Sequence, residues 1–238
     1  MREQGGARSL SRAVFADVRA EILTGVYPPG SRLSPRAIAT KSDVSLSVVR
    51  EALTRLAEQG LVISEPQIGF SVVSLDLDDI RDLARVRVLI EGAAFKDAME
   101  HADVEYEARV LASHHRLVRT AQGYDEEKQT VTEEWARAHS QFHAALLSAS
   151  PSPRLRELAS GMRETAELYR RWSGVFSTDQ DRRDVAAEHQ ALMQAALDRD
   201  IERGVILVGD HINRTTELLA RYVETHQDEV AAHNGSRP

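Results

Sequence analysis

The chain has 238 residues, 42% of them hydrophobic and 5% aromatic, with a net charge of −7, enough for two small cores. It holds no cysteine, which excludes disulfides and thiolate metal ligands and turns attention to the nitrogen donors of its nine histidines. No apolar run approaches the roughly 18 residues of a membrane span, and MREQGGARSL lacks the apolar core of a signal peptide, so a cytoplasmic location away from membranes is expected.

Leu10, Val14, Val18 and Ile22 recur every fourth position and predict a first amphipathic helix, ended by Gly25 and the Pro28-Pro29-Gly30 turn. Ser34 as cap and Pro35 at the first helical position predict a short second helix, with Ile38 and Ala39 inward, stopping near Ser42-Asp43. Ser45 is the expected cap of a third helix, whose buried stripe is Val49, Ala52, Leu53, Leu56 and Ala57. Its opposite face shows Leu46, Ser47, Arg50, Thr54 and Arg55. Two helices joined by a tight turn, with small polar and Arg residues at the exposed start of the second, have the helix-turn-helix layout. After Gly60, Leu61-Val62-Ile63 and Phe70-Ser71-Val72-Val73 read as two short strands around a Pro66-Gln67-Ile68-Gly69 turn, a wing. The charge is divided to match: residues 1–73 hold 9 Lys and Arg against 7 Asp and Glu, whereas residues 74–238 hold 21 against 30. The front of the chain is thus the part that can approach a polyanion.

Pro29-Gly30, Ser45 with Val49-Arg50-Glu51-Ala52-Leu53, Gly60-Leu61-Val62 and the wing residue Gly69 together resemble the GntR-type regulators over about seventy residues. The resemblance implies operator contacts from Arg36 and from Ser45, Leu46, Ser47 and Arg50, with Gln67 and Gly69 approaching the minor groove. Arg can read guanine O6 and N7 through two hydrogen bonds, whereas Ser hydroxyls mostly fix register on phosphates, so Arg36 and Arg50 are the expected base readers. This chain departs from the family at Leu46, where Arg is usual, and at Val48, where Pro is frequent. Exposed there, both would touch only thymine methyls or sugar and shift operator preference.

Beyond Ser74, Asp76 can cap a long helix, and six helices are expected near 77–100, 103–121, 128–149, 152–173, 178–198 and 201–227. Their apolar stripes require an antiparallel bundle. The expected fold class is therefore mostly α, a winged helix-turn-helix over residues 1–74 followed by an all-α antiparallel helical bundle over 75–238. Histidines sit on the stripes. His139 and His143 lie among Val131, Trp135, Ala138, Phe142 and Leu146. His189 shares a face with Val185, Leu192, Met193 and Ala196, and His211 with Val208, Ile212, Thr215 and Leu219. Four imidazoles from three helices facing one interior could hold a divalent transition metal such as zinc or nickel. Any one of them alone would be read as a hydrogen-bonded core residue. Arg87 and Glu91 fall on the stripe of Ile80, Leu83, Ala84 and Ala94. They read equally as an i, i+4 ion pair and as a site where Arg87 grips an effector carboxylate.

Arg87-x-x-x-Glu91, Phe142-His143, Glu188-His189 with Ala195 and Asp200, and His211-Ile212 are similar in order and spacing to the FadR-type effector domain with its FCD fold. That resemblance maps the family's metal ligands to positions 139, 143, 189 and 211, with His139 standing where Asp is expected. The set becomes all-nitrogen and loses one negative charge, which suits a metal bound together with an anionic effector. The implied protein is a homodimeric, ligand-responsive regulator, acting as a repressor on a palindromic double-stranded operator. The alternative is a metal-dependent enzyme on a histidine-lined bundle. The chain has no recurring Glu-x-x-His pair, Gly-rich phosphate loop or nucleophile motif to support it, and an enzyme would not account for the winged-helix pattern.

Overall fold

The structure, a computed structural model, describes residues 3–74, 76–120, 124–125, 130–176 and 184–225. The chain divides into two compact units, one of residues up to Asp76 with the chain from Val223, the other Leu77–Tyr222.

In the first unit, α1 (Glu3–Leu23) packs on α3 (Leu46–Glu58), and α3 also packs on α2 (Pro35–Ser42) and β2 (Val62–Glu65). The helix α1 begins before Leu10, and its buried line is Ser11, Val14, Val18 and Ile22, while Leu10 is 48% exposed. The expected stripe is thus rotated by one residue at its start. Ser34 caps α2, its hydroxyl accepting from Ala37 N at 3.3 Å, Pro35 occupies the first turn, and Asp43 ends the helix in the left-handed conformation. Lys41 on α2 pairs with Glu21 on α1.

The wing carries one strand more than the sequence predicts. β1 (Arg32–Leu33) pairs antiparallel with β3 (Gly69–Val72), which pairs with β2, giving the order β1-β3-β2. The two-residue β1 has no alternation to detect, and pairing alone creates it. At the tip Gln67 and Gly69 have φ of 67° and 107°. No atom lies within 4 Å of where a Cβ on Gly69 would stand, so glycine answers a backbone requirement there, not crowding.

The second unit contains α4 (Leu77–Glu100), α5 (Val104–Arg119), α6 (Glu133–Leu146), α7 (Pro153–Phe176), α8 (Val185–Asp198) and α9 (Ile201–Thr225). All six expected helices are present. α4 packs on α7, and α5 on α6 and α8. Gly204 lies where α9 comes against α4: a Cβ there would stand 2.8 Å from Met99 Cε and 3.2 Å from Phe95 Cε1, so the Met99 side chain would have to shift. The core runs through Phe95, Met99, Tyr106, Phe142, Leu146 and Leu192, and the buried Tyr106 hydroxyl donates to Leu146 O at 3.0 Å.

The start of α6 differs from expectation. A ribbon of β4 (Tyr124–Asp125) and β5 (Thr130–Val131) precedes it, so the unit is not wholly helical and Val131 belongs to a strand. The Thr132 hydroxyl accepts from Trp135 N at 3.3 Å and fixes the first turn at Glu133, five residues after the expected start. Asp184 likewise caps α8 through Ala187 N at 2.9 Å. The expected start of that helix at 178, and the helix ends at 121 and 227, lie outside the described residues.

Candidate nucleic-acid interface and metal centre

In the first unit Arg36, Ser45, Ser47, Arg50, Gln67 and Gly69 are exposed, and Leu46 is half-buried. Ser45 occupies the cap position of α3 but makes no side-chain capping bond; its hydroxyl lies 2.9 Å from that of Ser47. The α3 N-terminus therefore keeps its amides turned outward with two hydroxyls beside them, an arrangement suited to a phosphate oxygen. Val48, expected at the surface, is instead 7% exposed and joins Val49 in the core. A β-branched residue fills that position because the wheel turns it under α3, so only Leu46 of the two departures can reach a ligand. Arg55 stands with its guanidinium carbon 4.6 Å from the centre of the Phe15 ring, a cation–π contact that gives this arginine a structural role. Arg36 and Arg50 are held by no comparable ring contact among the described residues.

In the second unit α6, α8 and α9 bring the four histidines together. His139, His143, His189 and His211 are all buried, and one ring nitrogen from each lies within 4.8 Å of all the others. Ring centres of the i, i+4 pair His139 and His143 are 4.5 Å apart; His189 is 5.4 Å from His143, and His211 is 4.9 Å from it. Helix periodicity supplies the first pair, and the packing of two further helices the rest.

The donor set fits a metal. His143 Nε2 is buried without a hydrogen-bond partner, a condition that native interiors rarely tolerate and that coordination would relieve. Burial, then the neighbouring imidazoles of His211 and His189, then Arg163 and Arg87, hold the His143 pKa well below the ordinary histidine value. The ring is thus neutral near pH 7, and a neutral imidazole is the form that ligates. His211 Nδ1 donates to Glu188 Oε2 at 2.7 Å, and Glu188 Oε1 accepts from Arg214 at 3.1 Å. An ionised carboxylate only accepts, so the hydrogen sits on Nδ1 and the lone pair of Nε2 is left for a ligand bond. Trp135 stacks on His139 with ring centres 4.7 Å apart at 20°, fixing that ring. His114, also buried, meets Phe142 edge-on at 5.4 Å and stands outside the group of four.

Arg87 and Glu91 do face inward: Arg87 Nε donates to Glu91 Oε1 at 2.7 Å, and Glu91 is 1% exposed. A third member was not expected. Arg163 from α7 places NH1 3.8 Å from Glu91 Oε2 and 3.4 Å from the His143 carbonyl. One buried carboxylate thus sits between two half-buried guanidiniums. The signal for Arg163 was its spacing along α7 with the core residue Ala159 and the half-buried Ala166. A small pocket beside this group is lined by Arg87, Leu83, Ala84, Tyr169, Thr215 and Thr216, and the Tyr169 hydroxyl donates to Asp79 at 2.9 Å.

The chain matches two family models: bacterial regulatory proteins of the gntR family over residues 10–72, and the FCD domain over residues 82–214. The HTH-type transcriptional regulator BphR of Paraburkholderia xenovorans is 35% identical over 215 residues, covering 90% of this chain and 87% of that protein. The HTH-type transcriptional repressor GlaR of Escherichia coli is 28% identical, with 81% and 87% covered. Among solved structures, E. coli McbR/YncC aligns with a TM-score of 0.71 at 19% identity, over 90% of this chain and 98% of that one. A GntR regulator from Rhodococcus sp. RHA1 aligns at 0.67 and 24%, covering 89% and 97%. These structural likenesses carry the fold.

Proposed function

The chain belongs to the GntR family of bacterial regulatory proteins, with an FCD domain behind its winged helix-turn-helix, and from that premise we propose that it is a FadR-type homodimeric repressor working in the cytoplasm. It is a transcription regulator and not an enzyme. In this reading residues 1–74 bind a palindromic operator, and residues 75–238 dimerise and take a small carboxylate effector. No described helix is long and apolar enough to cross a membrane.

The observation that carries the reading is the exposure of Arg36 on α2 and of Ser45, Ser47 and Arg50 at the N-terminal end of α3. Arg36 and Arg50 read base edges, the two serines and the α3 amides hold phosphates, Leu46 packs on a thymine methyl, and Gln67 and Gly69 carry the wing into the minor groove. Selection from a random duplex library, followed by fluorescence anisotropy on the enriched sequence, tests it. The expected product is an inverted repeat bound with an affinity that falls steeply with salt. Failure to enrich any sequence would reject the regulator reading of this chain's surface.

The four histidines are proposed to hold zinc or nickel, and Arg87, oriented by Glu91, to meet the effector carboxylate at the neighbouring pocket. The metal would fix the effector's anionic end by direct coordination. Changing His143→Ala together with His189→Ala should abolish metal uptake measured by elemental analysis of purified protein. Equal metal content in variant and parent would remove the assignment. Because a ligand shifts DNA affinity only by as much as it prefers one dimer arrangement, operator and effector must compete or cooperate reciprocally.

A further inference from the structure

Between Arg55 and Arg81 the chain holds no lysine or arginine, so the wing has no cation with which to hold a phosphate. What it presents instead is an apolar side chain. Ile68, at the tip between β2 and β3, is 60% exposed, and Pro66, Gln67 and Gly69 around it are exposed as well. The two strands pair as far as Glu65 and Gly69, which leaves Pro66, Gln67 and Ile68 as the loop. That loop is stiff. The Pro66 ring fixes one φ, Ile68 N donates to Glu65 O at 3.3 Å, and Gln67 and Gly69 take the positive φ that turns the chain. Ile68 is branched at Cβ and has few rotamers to lose on binding.

A rigid tip of this kind gains nothing from phosphates, and the acceptors on the floor of the minor groove find no donor in an isoleucine side chain. The part of a duplex that rewards an apolar side chain is the face of a base pair, reached by opening a stacked step. Opening costs least at pyrimidine–purine steps, which kink most easily. We propose that Ile68 is a minor-groove wedge, which enters between two base pairs under the wing, unstacks them and kinks the operator, so that the wing selects deformable steps. The inference rests on the operator reading above and adds how the wing contributes to it. Arg36, Arg50 and the serines of α3 grip the duplex, and the cation-free wing bends it.

The test uses the full chain on the duplex enriched by selection, with dyes at its two ends to read bending by energy transfer and 2-aminopurine substituted in turn for each adenine. The parent should bend the duplex by at least about 20°, and 2-aminopurine should brighten at the wedged step as it loses its stacking partner. At saturating protein Ile68→Ala should lose both signals. Its salt dependence of binding should match the parent's, because no phosphate contact is removed. Ile68→Leu, apolar and of similar volume, should keep both signals. A parent-sized bend in Ile68→Ala overturns the proposal, as does a parent complex that leaves the duplex straight and its 2-aminopurine dark. If Ile68→Ala does not bind, the parent's bend and 2-aminopurine signals decide alone. A parent that binds no duplex removes the operator reading itself, and the wedge with it.

Discussion

Replacing Glu91 with Gln should destabilise the chain by about 3–5 kcal/mol, the cost of breaking a buried ion pair from one side. The carboxylate is 1% exposed and is shared by Arg87 at 2.7 Å and Arg163 at 3.8 Å. A glutamine keeps the shape but withdraws the charge that faces both half-buried guanidiniums, much of whose hydration was given up on folding. Burial already pushes the Arg163 pKa below its ordinary value, with Glu91 the main influence in the opposite direction. The partner change Arg163→Met should cost far less, because it leaves Arg87 and Glu91 as a matched pair. Urea unfolding followed by circular dichroism reads both, and equal losses in the two variants would show that Glu91 does not hold the cluster together. The double variant should recover part of the Glu91→Gln loss, since the sites share a partner and their effects are not additive.

Arg50→Ala should weaken binding to the selected operator by about 1–3 kcal/mol, roughly 5- to 150-fold, if the side chain makes a two-pronged contact with guanine. The residue is exposed on α3 one turn after Ser47, where a helix entering the major groove presents its side chains to base edges. Affinity alone does not separate a base reader from a phosphate anchor. Loss of a base contact relaxes preference at one position and leaves the salt dependence unchanged. Loss of a phosphate contact weakens all sequences alike and reduces the salt slope by about 1. Anisotropy at several salt concentrations, on operator and on scrambled duplex, distinguishes the two, and an unchanged operator affinity would strip Arg50 of its assigned role. Arg55 is the useful contrast, since it lies over Phe15 and its removal should act on stability more than on DNA.

Much of this protein was legible in its residues, because the signals concerned are local. Pro35 after Ser34, the apolar spacing of α3 and the histidines four apart on α6 each act within one or two helical turns, where 3.6 residues per turn fixes which side chains share a face. The composition and the two run-together patterns likewise separated a basic front from an acidic helical remainder. The structure departs from these patterns where one runs through the boundary of an element. Val131 continues the α6 spacing but pairs with β4, because the Thr132 cap starts the helix only after it. Leu10 continues that of α1 but stands exposed, and Val48, placed outward by its match to a family position where Pro is frequent, is buried.

What only the tertiary structure decided are the relations between residues far apart in the chain. Helix periodicity turns His139, His143, His189 and His211 each inward, while the packing of α6, α8 and α9 decided that their nitrogens meet within 4.8 Å. It also decided that Arg163 joins Glu91 from 72 positions away. The pairing of β1 with β3 is of the same kind. Periodicity specifies the direction of a side chain about its own axis and carries no information about which other axis lies opposite; that is set by the fit of whole helix surfaces and by the close approach that residues such as Gly204 permit.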